Sequence, residues 1–322
     1  MAAPKVYVTR QLSEVGLAPL RAAGLDVVMR RESYPVPRSE LLAGATGATA
    51  LVSLMSDQVD AELLDTAGPQ LRIVANYAVG YDNIDVAECH RRGIVVANTP
   101  DVLTDATADH AFGLLLAVAR RLREGDQLVR SGQWTGWEPD QLLGRHVTGA
   151  VLGIVGMGRI GTAVAVRARA FGMTVLYHNR SAAPEAERAT GARPVSLAEL
   201  LSASDFVSLH CPLTPATHHL LDAAALALMK PTAVLVNVAR GAIIDEVALL
   251  QALRSGALWG AGLDVYEREP EVTAGLQELP NVVLAPHTGS ATGATRDAMA
   301  LLCAEAVVTV LEGGTPPNAV TA

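Results

Sequence analysis

The stretch Val151-Leu-Gly-Ile-Val-Gly-Met-Gly-Arg-Ile-Gly161 carries an apolar run straight into Gly-x-Gly-x-x-Gly. A buried strand hands over in this way to a helix N-terminus that can accept a phosphate. Gly156 permits the tight turn, Gly158 lets the backbone approach a pyrophosphate, and Gly161 lets the helix pack close on the sheet. A glycine-rich turn alone is weak evidence for a dinucleotide, so the flanking sequence decides. Leu152 to Val155 reads as a strand, Ile160 to Phe171 as a helix and Thr174 to Tyr177 as the next strand, which makes one βαβ unit.

Downstream, further strand patterns follow at 206–209, 234–237, 260–263 and 282–285. With 151–155 and 174–178 they make six, the number of a complete doubly wound dinucleotide domain. Upstream, short apolar runs at 6–8, 27–29, 50–53, 73–75 and 94–97 alternate with helical segments, as in a parallel, flavodoxin-like sheet. Gly24 and Gly93 suit left-handed helix caps. An apolar helix is expected from Thr104 to about Arg123, buried on more than one side. The loop Gly132 to Gly144, with Trp134 and Trp137, is long enough to be functional or to sit at an interface. A last helix, Thr292 to Leu311, is expected to return to the first domain. The predicted class is therefore α/β, with two doubly wound parallel sheets. A substrate domain would comprise 1–100 and 288–322, and a dinucleotide-binding domain 101–287.

Composition narrows the function. Apolar residues are half of the 322 but come in short runs, none reaching the about 18 residues that suggest a membrane span. The N-terminal residues Met1 to Lys5 lack the pattern of a secretory signal. Cys89, Cys211 and Cys303 are odd in number and far apart, which fits a reducing, cytoplasmic setting. A net charge of −8 opposes nucleic-acid binding, and the cluster Arg120-Arg121-x-Arg123 reads as cations at a helix C-terminus. His218 and His219, if on a helix or strand, point apart. No His, Cys and acid cluster has metal-ligand spacing, so no metal is expected.

The second strand of the dinucleotide unit ends Tyr177-His178-Asn179-Arg180-Ser181, without the acid that would accept hydrogen bonds from a ribose diol. Arg180 and Ser181 can contact a 2′-phosphate, and neutral Asn179 does not repel it. The reading favours NADP(H), with NAD(H) as the alternative. Polar groups recur at other strand ends: Arg240 after the fourth strand, Asp264 and Glu269 after the fifth, His287 after the sixth. Ligands of open α/β sheets bind beyond those ends, so the four could converge there. Their chemistry suits carbonyl reduction. An arginine holds a carboxylate in two-point fashion, and a histidine beside a carboxylate supplies the proton for a forming alkoxide.

Taken together, ANYAVGYDNID (75–85), NTPDVLTDATADHAFGLLLAVARR (98–121), GIVGMGRIG (153–161), NVARGAIID (237–245), AGLDVYEREP (261–270) and APHTGSAT (285–292) resemble the D-isomer-specific 2-hydroxyacid dehydrogenases. The nearest branch is that of the glyoxylate/hydroxypyruvate reductases, and the likeness covers nearly the whole chain. The resemblance implies a Rossmann domain, reduction of a small 2-oxoacid, Arg240 on the substrate carboxylate, His287 as general acid/base and Glu269 as its partner. It implies that the amides of Val79 and Gly80 also meet that carboxylate, and that Asp264 holds the nicotinamide carboxamide. Thr107, Arg159 and Ile160 would touch the cofactor phosphates or ribose, and Cys211, Pro212, Thr217, Val238 and Ala239 would line its pocket. Leu54 and Met55 would shape the substrate side-chain pocket. Trp137 would reach the active site of a partner subunit, which implies a homodimer. Thr288 departs from the isoleucine commoner in the family, a change without chemical consequence. Formate dehydrogenases carry glutamine where Glu269 stands, and phosphite dehydrogenases carry lysine where Val79 stands. Two alternatives remain: an NAD-dependent enzyme of different substrate range, and a catalytically idle, nucleotide-sensing corepressor of the same fold.

Overall fold

The structure, a computed structural model, describes residues 3–32 and 34–321. Met1 and Ala2 of the N-terminal stretch read above lie outside the described residues, as do Ser33 and Ala322. The chain divides into two units, 1–103 with 291–322, and 104–290. Among the described residues no helix is long and apolar enough to cross a membrane.

The first unit alternates strands and helices: β1 (Lys5–Val8), α1 (Glu14–Ala22), β2 (Asp26–Met29), α2 (Arg38–Ala45), β3 (Ala50–Ser53), α3 (Ala61–Ala67), β4 (Ile73–Asn76), α4 (Val86–Arg91) and β5 (Val95–Ala97). The strands pair in parallel in the order β2-β1-β3-β4-β5, the flavodoxin-like order. β3 and β4 are buried at every residue, which is why they read as unbroken apolar runs rather than alternations. Asp60 and Asp85 cap α3 and α4 by accepting the amides of Leu63 and Glu88. Gly24 and Gly93 end α1 and α4 at φ +71°. The helix Gly293–Leu311, capped by Thr292, packs on α1 and β4 of this unit. Its approach to α1 is so close that a Cβ on Gly16 would lie 2.3 Å from the Ala300 Cβ. Beyond it the chain reaches β5, where the Val320 amide donates to the Val96 carbonyl at 2.7 Å.

The second unit runs α5 (Thr104–Ala119), α6 (Leu122–Arg130), β6 (Val151–Val155), α7 (Arg159–Ala170), β7 (Thr174–His178), α8 (Pro184–Thr190), β8 (Arg193–Pro194), α9 (Leu197–Ala203), β9 (Phe206–Leu209), α10 (Ala223–Ala227), β10 (Val234–Asn237), α11 (Glu246–Ser255), β11 (Gly260–Leu263) and β12 (Val282–Leu284). All pair in parallel, in the order β12-β11-β10-β9-β6-β7-β8. Strand order reverses between β9 and β6, the place where such sheets open a crevice for ligand.

Three expectations need correction. The helix from Thr104 does not run to Arg123: it ends at Ala119, whose carbonyl accepts the amide of Arg145 at 2.7 Å, and Arg121 turns left-handed at φ +51°. Arg120 and Arg121 directly follow that C-terminus, as the reading expects, and Arg123 lies beyond it. Arg121 pairs with Glu124 at 2.6 Å, and Arg123, in the first turn of α6, donates to the Leu279 carbonyl at 2.7 Å. The sheet holds a seventh strand, β8, whose two residues are too short for any periodicity to betray. His218 and His219 lie in a turn and do not point apart; their rings stack with centroids 4.1 Å apart, His219 being left-handed at φ +49°. Among the described residues no group of His, Cys, Asp and Glu has the geometry to hold a metal ion.

Candidate active site

Because β12, β11, β10, β9 and β6 are neighbours and parallel, the residues that follow them emerge at one end of one sheet. Gly156 leaves β6 at φ +98°, where a Cβ would lie 2.4 Å from the Cys211 nitrogen. A Cβ on Gly161 would lie 2.2 Å from the Gly156 oxygen, so α7 can seat on the turn only without one. Gly158 is different: nothing lies within 4 Å of where its Cβ would be, and no side chain caps α7. Open space over an uncapped helix N-terminus fits a pyrophosphate, whose charge the first amides and the helix dipole favour.

Arg159 and Ile160 open that helix. Asn179 Oδ1 accepts the Met157 amide at 2.6 Å and so ties the turn to the end of β7, while Arg180 and Ser181 are exposed just beyond. Cys211 and Pro212 follow β9. Burial pushes the Cys211 thiol up to about 11, so it is a neutral wall. Thr217 donates to the Pro212 carbonyl at 2.7 Å and accepts the Thr214 amide at 2.8 Å, folding that loop on itself. Val238 is buried and Ala239 half-buried after β10. Thr107 of α5 stands beside Gly289, its Cγ2 3.3 Å from where a Cβ would be.

Arg240 follows β10 in a turn set by Asn237, which donates to the Arg240 carbonyl at 2.8 Å and accepts the Ala239 amide at 3.0 Å. Gly241 then passes so close to the next loop that a Cβ would lie 1.8 Å from the Tyr266 carbonyl carbon. In that loop Glu269 Oε1 accepts the Tyr266 amide at 3.1 Å, and Oε2 lies 2.8 Å from His287 Nδ1. His287 and Glu269 are thus a direct pair, with side chains 24% and 34% exposed, open enough to meet a ligand.

His287 adopts φ +55°, a conformation costly for a residue with a Cβ. Asp264 holds it there: its carbonyl accepts the His287 amide at 2.8 Å, and its carboxylate accepts the amides of Thr288 at 2.7 Å and Gly289 at 2.8 Å. Burial pushes the Asp264 carboxyl up, but His110 and the two amides outweigh it and hold the group below the usual carboxylate range. His110 Nε2 lies 3.1 Å from Asp264 Oδ1, at ion-pair distance but off the line of a hydrogen bond. Burial pushes the Tyr266 phenol up to about 12, so it stays a donor, to the Ala285 carbonyl at 2.9 Å.

In the first unit, Leu54 and Met55 follow β3 and are half-buried, as are Val79 and Gly80 after β4. Trp137 is 79% exposed. Sequence reasoning missed His110 and Glu246. Glu246 is buried and accepts the Glu267 amide at 2.7 Å and the Thr273 hydroxyl at 2.5 Å, bracing the loop that carries Glu269. An acid immediately after Ile-Ile-Asp at a helix start reads as an ordinary first-turn charge, so sequence offered no sign of that brace.

Comparison with known proteins sets this geometry among relatives. Residues 112–289 match the family described as D-isomer specific 2-hydroxyacid dehydrogenase, NAD binding domain. A glyoxylate reductase of Thermococcus litoralis is 50% identical over 321 residues, 98% of this chain and 96% of that protein. A crystal structure of a protein from Thermus thermophilus superposes with a TM-score of 0.93 at 48% identity, covering 98% of this chain and 100% of that one. An NADPH-dependent glyoxylate/hydroxypyruvate reductase from Sinorhizobium meliloti, solved with NADP and malonate, gives 0.87 at 35% identity over 99% of this chain and 97% of its own.

Proposed function

The chain belongs to the D-isomer-specific 2-hydroxyacid dehydrogenase family, and on that premise we propose that it reduces glyoxylate, and hydroxypyruvate besides, to the D-2-hydroxyacid with NADPH as preferred reductant. The observation that carries the reading is the His287–Glu269 pair, 2.8 Å apart, at the end of the strand two places from the one that delivers Arg240.

The bound nicotinamide supplies the hydride. Arg240 holds the substrate carboxylate, and from the first unit the proposal adds the amides of Val79 and Gly80 as donors to it. With Nδ1 directed at Glu269, Nε2 is the nitrogen of His287 left to give a proton to the forming alkoxide. Glu269 stabilises the charged ring before transfer and keeps the Nδ1 proton after it. Leu54 and Met55 bound the substrate side chain, and Asp264 holds the carboxamide end of the nicotinamide. Thr107, Arg159 and Ile160 serve its phosphates and ribose, and Cys211, Pro212, Thr217, Val238 and Ala239 its pocket. Preference for NADPH rests on Arg180 and Ser181, exposed beyond β7 where no acid stands. The proposal further includes a cytoplasmic homodimer in which Trp137 serves the partner's site.

A panel of 2-oxoacids against both reductants tests this, followed at the nicotinamide absorbance. The highest kcat/KM is expected for glyoxylate or hydroxypyruvate with NADPH. A higher kcat/KM with NADH would remove the cofactor assignment, and no turnover of any 2-oxoacid would leave a nucleotide-binding module instead.

A further inference from the structure

The peptide units after β4 are held one by one through their carbonyls. The Ala78 carbonyl accepts the Thr99 amide at 3.0 Å, the Val79 carbonyl accepts Asn98 Nδ2 at 2.8 Å, and the Gly80 carbonyl accepts Asn76 Nδ2 at 2.7 Å. In a trans peptide the N–H points opposite to the C=O, so each anchored carbonyl fixes the direction of the next residue's amide. The amides so aimed belong to Val79, Gly80 and Tyr81. None of the three donates to another described residue, whereas each carbonyl behind them is taken. Successive backbone N–H groups presented together form a concave anion receptor.

Asn98 is itself clamped. Its amide donates to the Asn318 carbonyl at 3.3 Å, and Asn318 Nδ2 donates back to the Asn98 carbonyl at 2.6 Å. Asn318 is buried, and the segment holding it continues along β5 through the Ala97–Ala319 bridge. A side-chain amide is suited to this task. It donates to one carbonyl without bringing a charge that would compete for the anion or repel it.

We propose that Asn98 is a positioning residue of the substrate site: it aims the Gly80 amide at the 2-oxoacid carboxylate, with Asn318 as its clamp. The proposal rests on the assignment of the Val79 and Gly80 amides to that carboxylate. It makes the C-terminal segment part of the machinery for substrate selection, although that segment touches no substrate.

The test compares glyoxylate with its uncharged methyl ester, using NADPH, in the wild type, Asn98→Ala, the similarly sized and uncharged Asn98→Leu that cannot donate, and Asn318→Ala. Losing one neutral hydrogen bond to the aimed peptide should raise KM for glyoxylate about five- to tenfold in both Asn98 variants. KM for the ester and for NADPH should stay unchanged, and Asn318→Ala should show a smaller rise in the same direction. A purely structural role would instead move all three KM values together or only the melting temperature. Folded Asn98 variants that keep the wild-type preference for acid over ester overturn the positioning role while leaving the carboxylate site standing. A wild type that does not prefer the acid overturns the carboxylate assignment and this proposal with it. Should Asn98→Ala fail to fold, Asn98→Leu and Asn318→Ala decide: a selective rise in glyoxylate KM supports the role, and its absence removes it.

Discussion

His210 stands just after β9 with Nε2 2.8 Å from the Ser208 hydroxyl and its Nδ1 buried, without a partner among the described residues. Burial pushes this ring down to about 3, so the folded protein holds it neutral where an unfolded chain, with an ordinary value of about 6.5, takes up a proton. The sign follows. Stability is fully present above about 6.5 and is lost progressively as pH falls toward about 3, because the unfolded state then binds the extra proton. His210→Gln should flatten this decline, read as a smaller drop in Tm between neutral and mildly acid buffer. Parallel Tm curves for the two proteins would remove His210 from the acid response. Glu269 Oε2 lies 2.8 Å from a second histidine, His287, in a more open place. Glu269→Gln keeps the shape but replaces a charged partner of Nδ1 by a neutral one. Reduction of the oxoacid should then slow, with kcat down about tenfold or more and KM for NADPH unchanged. An unchanged kcat would break the assigned pair.

At the scale of elements, the loop from β11 to β12 owes its shape to groups outside itself. Glu246, at the start of α11, takes the Glu267 amide and the Thr273 hydroxyl, and His219 Nε2 lies 3.1 Å from Glu267 Oε1. Glu246→Ala leaves a partly buried amide and hydroxyl without their acceptor, at a cost of about 1 kcal/mol in stability. Since the same loop delivers Glu269, kcat should fall by more than glyoxylate KM rises. Denaturant melts alongside steady-state kinetics check both parts, and a stability loss with intact kcat would make Glu246 a brace of the fold alone. Such braces explain what sequence could and could not disclose. Strands buried on both faces announce themselves as apolar runs, and Gly156 and Gly161 are glycines for steric reasons that spacing alone conveys. The break after Ala119 was hidden because its cause, the Arg145 amide on the Ala119 carbonyl, comes from 26 residues away in sequence. Asn98 and Glu246 were hidden likewise: each holds a backbone group of a distant loop, the Val79 carbonyl and the Glu267 amide, and backbone groups leave no mark in residue type.

For the whole molecule, the order of motifs along the chain said more than any one of them. Gly-x-Gly-x-x-Gly announced a dinucleotide, and only Arg240, Glu269 and His287 downstream pointed to carbonyl reduction. Residues 291–322 group with the first unit, and the last helix packs there on α1 and β4. What no single chain can display is a residue that works in another copy. Trp134 and Trp137 are 52% and 79% exposed. If Trp137 serves the partner's site, its loss and the loss of His287 are complementary defects. In a dimer of one His287→Ala chain and one Trp137→Ala chain, the chain that keeps His287 receives the intact tryptophan from the other. Random assembly of equal amounts then restores about a quarter of all sites to wild type. Co-expression of the two variants should therefore give glyoxylate kcat/KM near that fraction, well above a mixture of the separately purified homodimers. Activity equal to the mixture would confine Trp137 to its own chain, and a monomer by sedimentation would remove the partner altogether.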